Sequence, residues 1–159
     1  MPERQSIGRG IFNDDESINH DAMIQQGFHV GERDWWFMCY YDISTDDDFA
    51  EVEEALIAAG QKPAYAQKVV NELMWPNAGY TYTKFGDHLS IVLISHATSY
   101  DQMYDTVQHE LKHCVEHLSS YYHVDPKSET AAYIQGEIAR NMYKAVALAI
   151  CPKCHHETM

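Results

Sequence analysis

Apolar residues in this chain follow two spacings, every second residue and every third or fourth, and the switches between them mark out the elements. The run Trp35–Ile43 is aromatic and apolar and reads as a buried strand. Ser44-Thr45 then offers an N-cap, and Asp46, Asp47 and Asp48 place negative charge in a first helical turn, where the backbone dipole favours it. Phe49, Val52, Leu56 and Ala59 form that helix's stripe, and Gly60 ends it. Pro63 opens a second helix with Ala66, Val69, Val70 and Leu73 inward, and the stretch from Trp75 to Gly79 breaks it. Residues 80–85 and 88–95 read as two strands of a hairpin around Gly86-Asp87. A long helix follows over residues 101–122. Asp125 as N-cap and Pro126 at N1 start the last helix, whose stripe is Ala131, Ile134, Ile138, Met142, Ala145 and Ala149. Residues 1–26 are polar and weakly periodic, which leaves open an arm, a short helix near Asp21 to Gln26, or a disordered segment.

The pattern predicts an α+β protein: one domain over residues 27–150, with a small antiparallel or mixed sheet packed on helices. The N-terminal arm precedes it and a Cys/His tail, residues 151–159, follows. A chain of 159 residues can bury a core without staples. No stretch approaches the roughly 18 apolar residues of a membrane span. The net charge of −13, with only 11 scattered Lys and Arg, argues against a nucleic-acid surface. The N-terminus, Met1-Pro2-Glu3-Arg4-Gln5, has no apolar signal core, so a cytoplasmic location is expected. Cys39 and Cys114 sit in apolar patterns and read as reduced core thiols. The oligomeric state is not legible.

Candidate chemistry concentrates in His109-Glu110-Leu111-Lys112-His113, a His-Glu-x-x-His string. At i and i+4 both imidazoles lie on one helix face and can reach one metal ion, with the glutamate beside the water that the ion activates. Chance alone would place such a string in roughly one chain in twenty of this composition, so helical phase must decide. Tyr104, Val107, Leu111, Cys114 and Leu118 form the apolar stripe. His109 and His113 fall roughly 180–220° away from it, with Glu110 on their flank. The helix therefore packs by one face and presents the histidines on the other.

With this motif between a hairpin and a further helix, the chain resembles the zincin metallopeptidases over roughly residues 79–145. The five-residue motif is the specific part. The resemblance implies a zinc cofactor, His109 and His113 as ligands, Glu110 as general base, and a peptide or protein substrate aligned on an edge strand, here Leu89–Ser95. A catalytic zinc takes a third protein ligand. The candidates after the motif are His117, His123, Asp125, Glu129 and Glu137. The metzincin pattern would need Gly at 116 and His at 119, where this chain has Glu116 and Ser119. Glu129 is preferred. It lies opposite its own helix's apolar stripe, and Ser128-Glu129-Thr130-Ala131-Ala132-Tyr133 resembles the glutamate helix of gluzincins, small ImmA/IrrE-like peptidases included. His117, one turn past His113, and His123 are candidates for an outer contact. Tyr121, Tyr122 and Tyr133 are candidate oxyanion donors. The tail Cys151-Pro152-Lys153-Cys154-His155-His156 carries half of a possible second metal site in Cys151, Cys154 and His155. The expected function is zinc-dependent peptide hydrolysis. The alternative is a zincin-like binding or structural module, of the bacterial or phage origin that the resemblance implies, without general protease activity.

Overall fold

The computed structural model describes residues 6–9, 23–31 and 34–149. In chain order the elements are β1 (Ser6–Arg9), β2 (Ile24–Val30), β3 (Trp35–Ile43), α1 (Asp46–Ala58), α2 (Pro63–Leu73), β4 (Gly79–Lys84), β5 (Leu89–Ser95), α3 (Tyr100–Tyr121) and α4 (Glu129–Ala149). The class is α+β, as the pattern predicts. The strands form one mixed sheet in the order β1-β2-β3-β5-β4. Among the described residues only β3 and β5 run parallel, and α1, α2 and β4 make the crossover between them.

Alternation along β3 divides the core. Trp35, Phe37, Cys39 and Tyr41 point to the face covered by α3 and α4, while Met38, Tyr40 and Ile43 meet α1 and α2 on the other. The helix starts follow local chemistry. Thr45 Oγ1 accepts from the Asp48 amide while Asp48 Oδ2 accepts from the Thr45 amide, a reciprocal capping box. Pro63 opens α2, and its four expected inward residues are buried. Cys39 and Cys114 are buried free thiols, and burial pushes Cys39 up to about 12. Among the described residues no helix is long and apolar enough to cross a membrane.

Three expectations need correction. Ile24 to Gln26 are strand, not a short helix, and β1 pairs antiparallel with β2, so part of the expected arm belongs to the sheet. The inward residues of β2 are Ile24, Gln26, Phe28 and Val30; a polar residue among them hides the alternation. Gln26 is satisfied inside the core, accepting from Tyr41 OH at 2.7 Å and donating to the Asn141 carbonyl at 2.7 Å. The last helix starts at Glu129. Asp125 and Pro126 lie in the preceding turn, and the cap is Ser128, whose Oγ accepts from the Ala131 amide at 3.2 Å. Finally, β5 is not an edge strand. It lies between β3 and β4, and residues 90–95 are all buried, as suits an interior strand with a parallel neighbour. The edge beside α3 is β4, each of whose residues is half-buried.

Candidate metal centre

α3 begins at Ser99, whose Oγ accepts from the Gln102 amide. Val107, Leu111, Cys114 and Leu118 face the core as their phase predicts, joined by Met103 and Val115. Tyr104 departs from the expected stripe: it is exposed and stacks on Tyr143 of α4, ring centroids 5.4 Å apart. His109 and His113 project away from the core, and their Nε2 atoms lie 3.3 Å apart. A tetrahedral ion with zinc–nitrogen bonds of about 2.0–2.1 Å separates two nitrogen ligands by about 3.3–3.4 Å. The pair is therefore spaced to share one ion.

Glu110 is more enclosed than its place on the flank of the pair suggests. Its residue is 3% exposed, and Thr81 of β4 donates a hydroxyl hydrogen bond to its Oε1 at 2.6 Å. Burial raises its pKa, opposed by the Thr81 hydrogen bond and by His113 and His109. Gly79, also on β4, makes the room. A Cβ there would lie 2.8 Å from Glu110 Oε2, 2.9 Å from Glu110 Cγ and 3.0 Å from Thr106 Cγ2.

The same strand, outermost in the sheet among the described residues, has backbone groups beside this carboxyl that no described strand pairs. The Ser95 amide donates to the Ala78 carbonyl, and the Trp36 amide donates to the His88 carbonyl. With the registers of β4 on β5 and β5 on β3, these bonds turn the peptide groups of Tyr80, Tyr82 and Lys84 inward to β5. The N–H and C=O groups of Gly79, Thr81 and Thr83 then face the outer edge. Those three residues also direct their Cβ positions to α3.

Beyond the pair, His117 Nδ1 lies 2.7 Å from Thr83 Oγ1, and Phe85 meets its ring edge-on at 5.7 Å. Desolvation and then His113 lower its pKa. Tyr121 OH lies 2.8 Å from His88 Nε2, and Tyr122 packs on Trp35 and His88, so both belong to an aromatic cluster at the C-terminal end of α3. His123 is exposed, with a left-handed φ of 57°, and Tyr133 is 75% exposed on α4.

The expected third ligand does not join the pair. Glu129 is exposed in the first turn of α4, where Ser128 caps the helix. Gln108 donates to Tyr143 OH at 2.8 Å, while Pro126 and Gln135 share a cleft of about 450 Å³ with His109, Lys112 and Glu116. This antiparallel packing brings Gln135, not Glu129, to the His109 side of α4. Glu137 is half-buried and its carbonyl accepts from Asn141. Among the described residues no group of three His, Cys, Asp or Glu side chains is placed to hold a metal ion. Cys151, Cys154 and His155 lie outside the described residues. The donor chemistry thus fits an ion at the His109/His113 pair with Glu110 alongside, without a third protein ligand among the described residues. Gly79, Thr81, Thr83 and Gln135 went unrecognised in the sequence, because only the placement of β4 and α4 against α3 gives them a role. Comparison with protein-family models, with curated proteins and with solved structures found no match.

Proposed function

We propose that the protein is a zinc-dependent peptidase acting on a peptide or protein substrate in the cytoplasm. One observation carries this reading: two imidazole nitrogens at the edge length of a tetrahedral ion, on a helix whose buried Glu110 carboxyl is held by the outermost described strand. His109 and His113 would hold the ion, which when bound would make water a nucleophile at neutral pH and polarise the scissile carbonyl. Glu110 takes the proton of the attacking water and returns it to the leaving amine. Burial makes this carboxylate a stronger base than an exposed one, and the Thr81 hydroxyl fixes its direction. The outward peptide groups of Gly79, Thr81 and Thr83 receive an extended substrate as an added strand. That strand passes Glu110 directly, because Gly79 and Thr81 both border its carboxyl.

The test is Glu110→Gln on the zinc-loaded protein. Hydrolysis of a peptide library should be lost while zinc is retained, since the base is not a ligand. Equal cleavage by parent and variant would contradict the assignment. The second reading, a binding module on the same edge strand, draws on the lack of a third donor among the described residues. It predicts peptide capture without cleavage by either protein.

A further inference from the structure

We propose that His117 is a hydrogen-bond donor to the scissile carbonyl rather than a metal ligand, held in that state by a directed chain of hydroxyls that begins at Trp35. The catalytic part rests on the peptidase reading above; the direction of the chain does not.

The chain crosses three strands and ends on the motif helix. Trp35 Nε1 of β3 lies 3.1 Å from Ser90 Oγ of β5. Ser90 Oγ lies 2.8 Å from Thr83 Oγ1 of β4, which lies 2.7 Å from His117 Nδ1. An indole N–H can only donate, so Ser90 accepts from Trp35. Ser90 is fully buried, and Thr83 Oγ1 is its other side-chain partner. Its own proton must go to Thr83, because a buried hydroxyl left unpaired is costly. Thr83 now accepts from Ser90, and its proton goes to its remaining partner, His117 Nδ1. Hydrogen-bonded chains polarise in one direction, which reinforces this order.

The consequence is a fixed tautomer. With Nδ1 accepting, the neutral imidazole of His117 carries its proton on Nε2. That nitrogen has no lone pair for an ion, whereas Nε2 is the atom through which His109 and His113 approach each other. His117 instead offers an N–H directed away from Thr83. Its ring centroid lies 6.3 Å from that of His113, and its other nitrogen is anchored to the strand that would receive substrate. A donor so placed, one turn past the ligand pair, serves the carbonyl oxygen of a strand lying along β4 as that oxygen gains charge. Ser90 and Thr83 are positioning residues, whose effect passes through the ring they orient.

Three measurements test this. In nitrogen-15 NMR of the metal-free protein, at a pH where the ring is neutral, His117 should show an unprotonated Nδ1 and a protonated Nε2. Thr83→Val, or Ser90→Ala if the first does not fold, should turn this into a mixture of tautomers. A protonated Nδ1 in the parent would overturn the inference. In chelator competition, His117→Ala should keep zinc affinity within a few-fold of the parent; a loss as large as that of His113→Ala would make His117 a ligand and overturn it. In kinetics, His117→Ala should lower kcat about 10²-fold with KM little changed, the scale of losing one oxyanion donor. His117→Gln, which keeps an N–H, should recover part of the loss. An active parent whose His117→Ala variant retains its kcat overturns this inference alone. A parent that hydrolyses nothing overturns the peptidase reading and the catalytic role together, while the NMR spectrum still decides the direction of the chain.

Discussion

Replacing Gly79 by alanine drives a methyl group into the space occupied by the proposed base. The new Cβ would meet Glu110 Cγ at 2.9 Å and Glu110 Oε2 at 2.8 Å, with Thr106 Cγ2 at 3.0 Å on its other side. Ordinary contact begins near 3.4 Å, so relief requires a displacement of about 0.5 Å. The carboxylate cannot simply swing aside, because the Thr81 hydroxyl holds it at 2.6 Å and the residue is buried. Overpacking of this kind costs about 1–3 kcal/mol. The lost freedom of the unfolded chain returns about 0.4–1 kcal/mol, as Gly79 does not occupy the left-handed region that favours glycine. The net expectation is a destabilisation of about 1–2 kcal/mol. A misplacement of 1 Å at a reacting group can cost about 10²-fold, so about half that displacement predicts roughly a 10-fold fall in kcat. Zinc affinity should not move, since the added methyl group meets Glu110 and Thr106 while His109 only lines the same cleft. Urea denaturation, peptide turnover and chelator competition on one preparation give the three quantities. A Gly79→Ala protein as stable and as active as the parent would refute the packing argument. One that loses zinc in step with activity would refute the separation of base from ligands.

Two further perturbations test the fold around the site. Tyr41→Phe removes the donor to Gln26 Oε1 inside the core and should cost about 1–3 kcal/mol in urea unfolding; a variant as stable as the parent would mean that the Gln26 network contributes nothing. His96 Nδ1 lies 2.9 Å from Asp42 Oδ1, and this hydrogen bond raises the histidine's pKa against the opposing effect of burial. A raised folded-state pKa contributes stability that is fully present below the unfolded value and is lost as pH rises through the folded value. Stability measured from pH 5 to 9 should therefore fall over the alkaline side of the usual histidine range, about 6.5, and Asp42→Asn should flatten that fall; an unchanged slope would contradict the pairing.

The helices were legible because their signals are local. Thr45 with Asp48, Pro63 with its apolar stripe and the face carrying His109 and His113 are each fixed within a turn or two of chain. What escaped was non-local. Gln26 breaks an alternation whose logic lies in Tyr41 and in the Asn141 carbonyl, 115 residues away. The resemblance points to β5 as the edge strand because the hairpin is visible in sequence but strand order is not: the crossover from β3 seats β5 in the interior and leaves β4 outside. That exchange moves the expected substrate edge onto the strand that holds Glu110 through Thr81. Glu129 has a plausible phase on its own helix, but phase does not fix position along the axis. The Ser128 cap and the packing of α4 on α3 place Gln135, six residues on, at the His109 side.

The central claim is that His109 and His113 hold one metal ion. Zinc titration by chelator competition, run on the parent, His113→Ala and Glu129→Ala, tests it most directly. The account predicts one zinc per chain at this site, lost in His113→Ala and unchanged in Glu129→Ala. A parent that binds no zinc, or a His113→Ala variant that binds it as tightly as the parent, would contradict it.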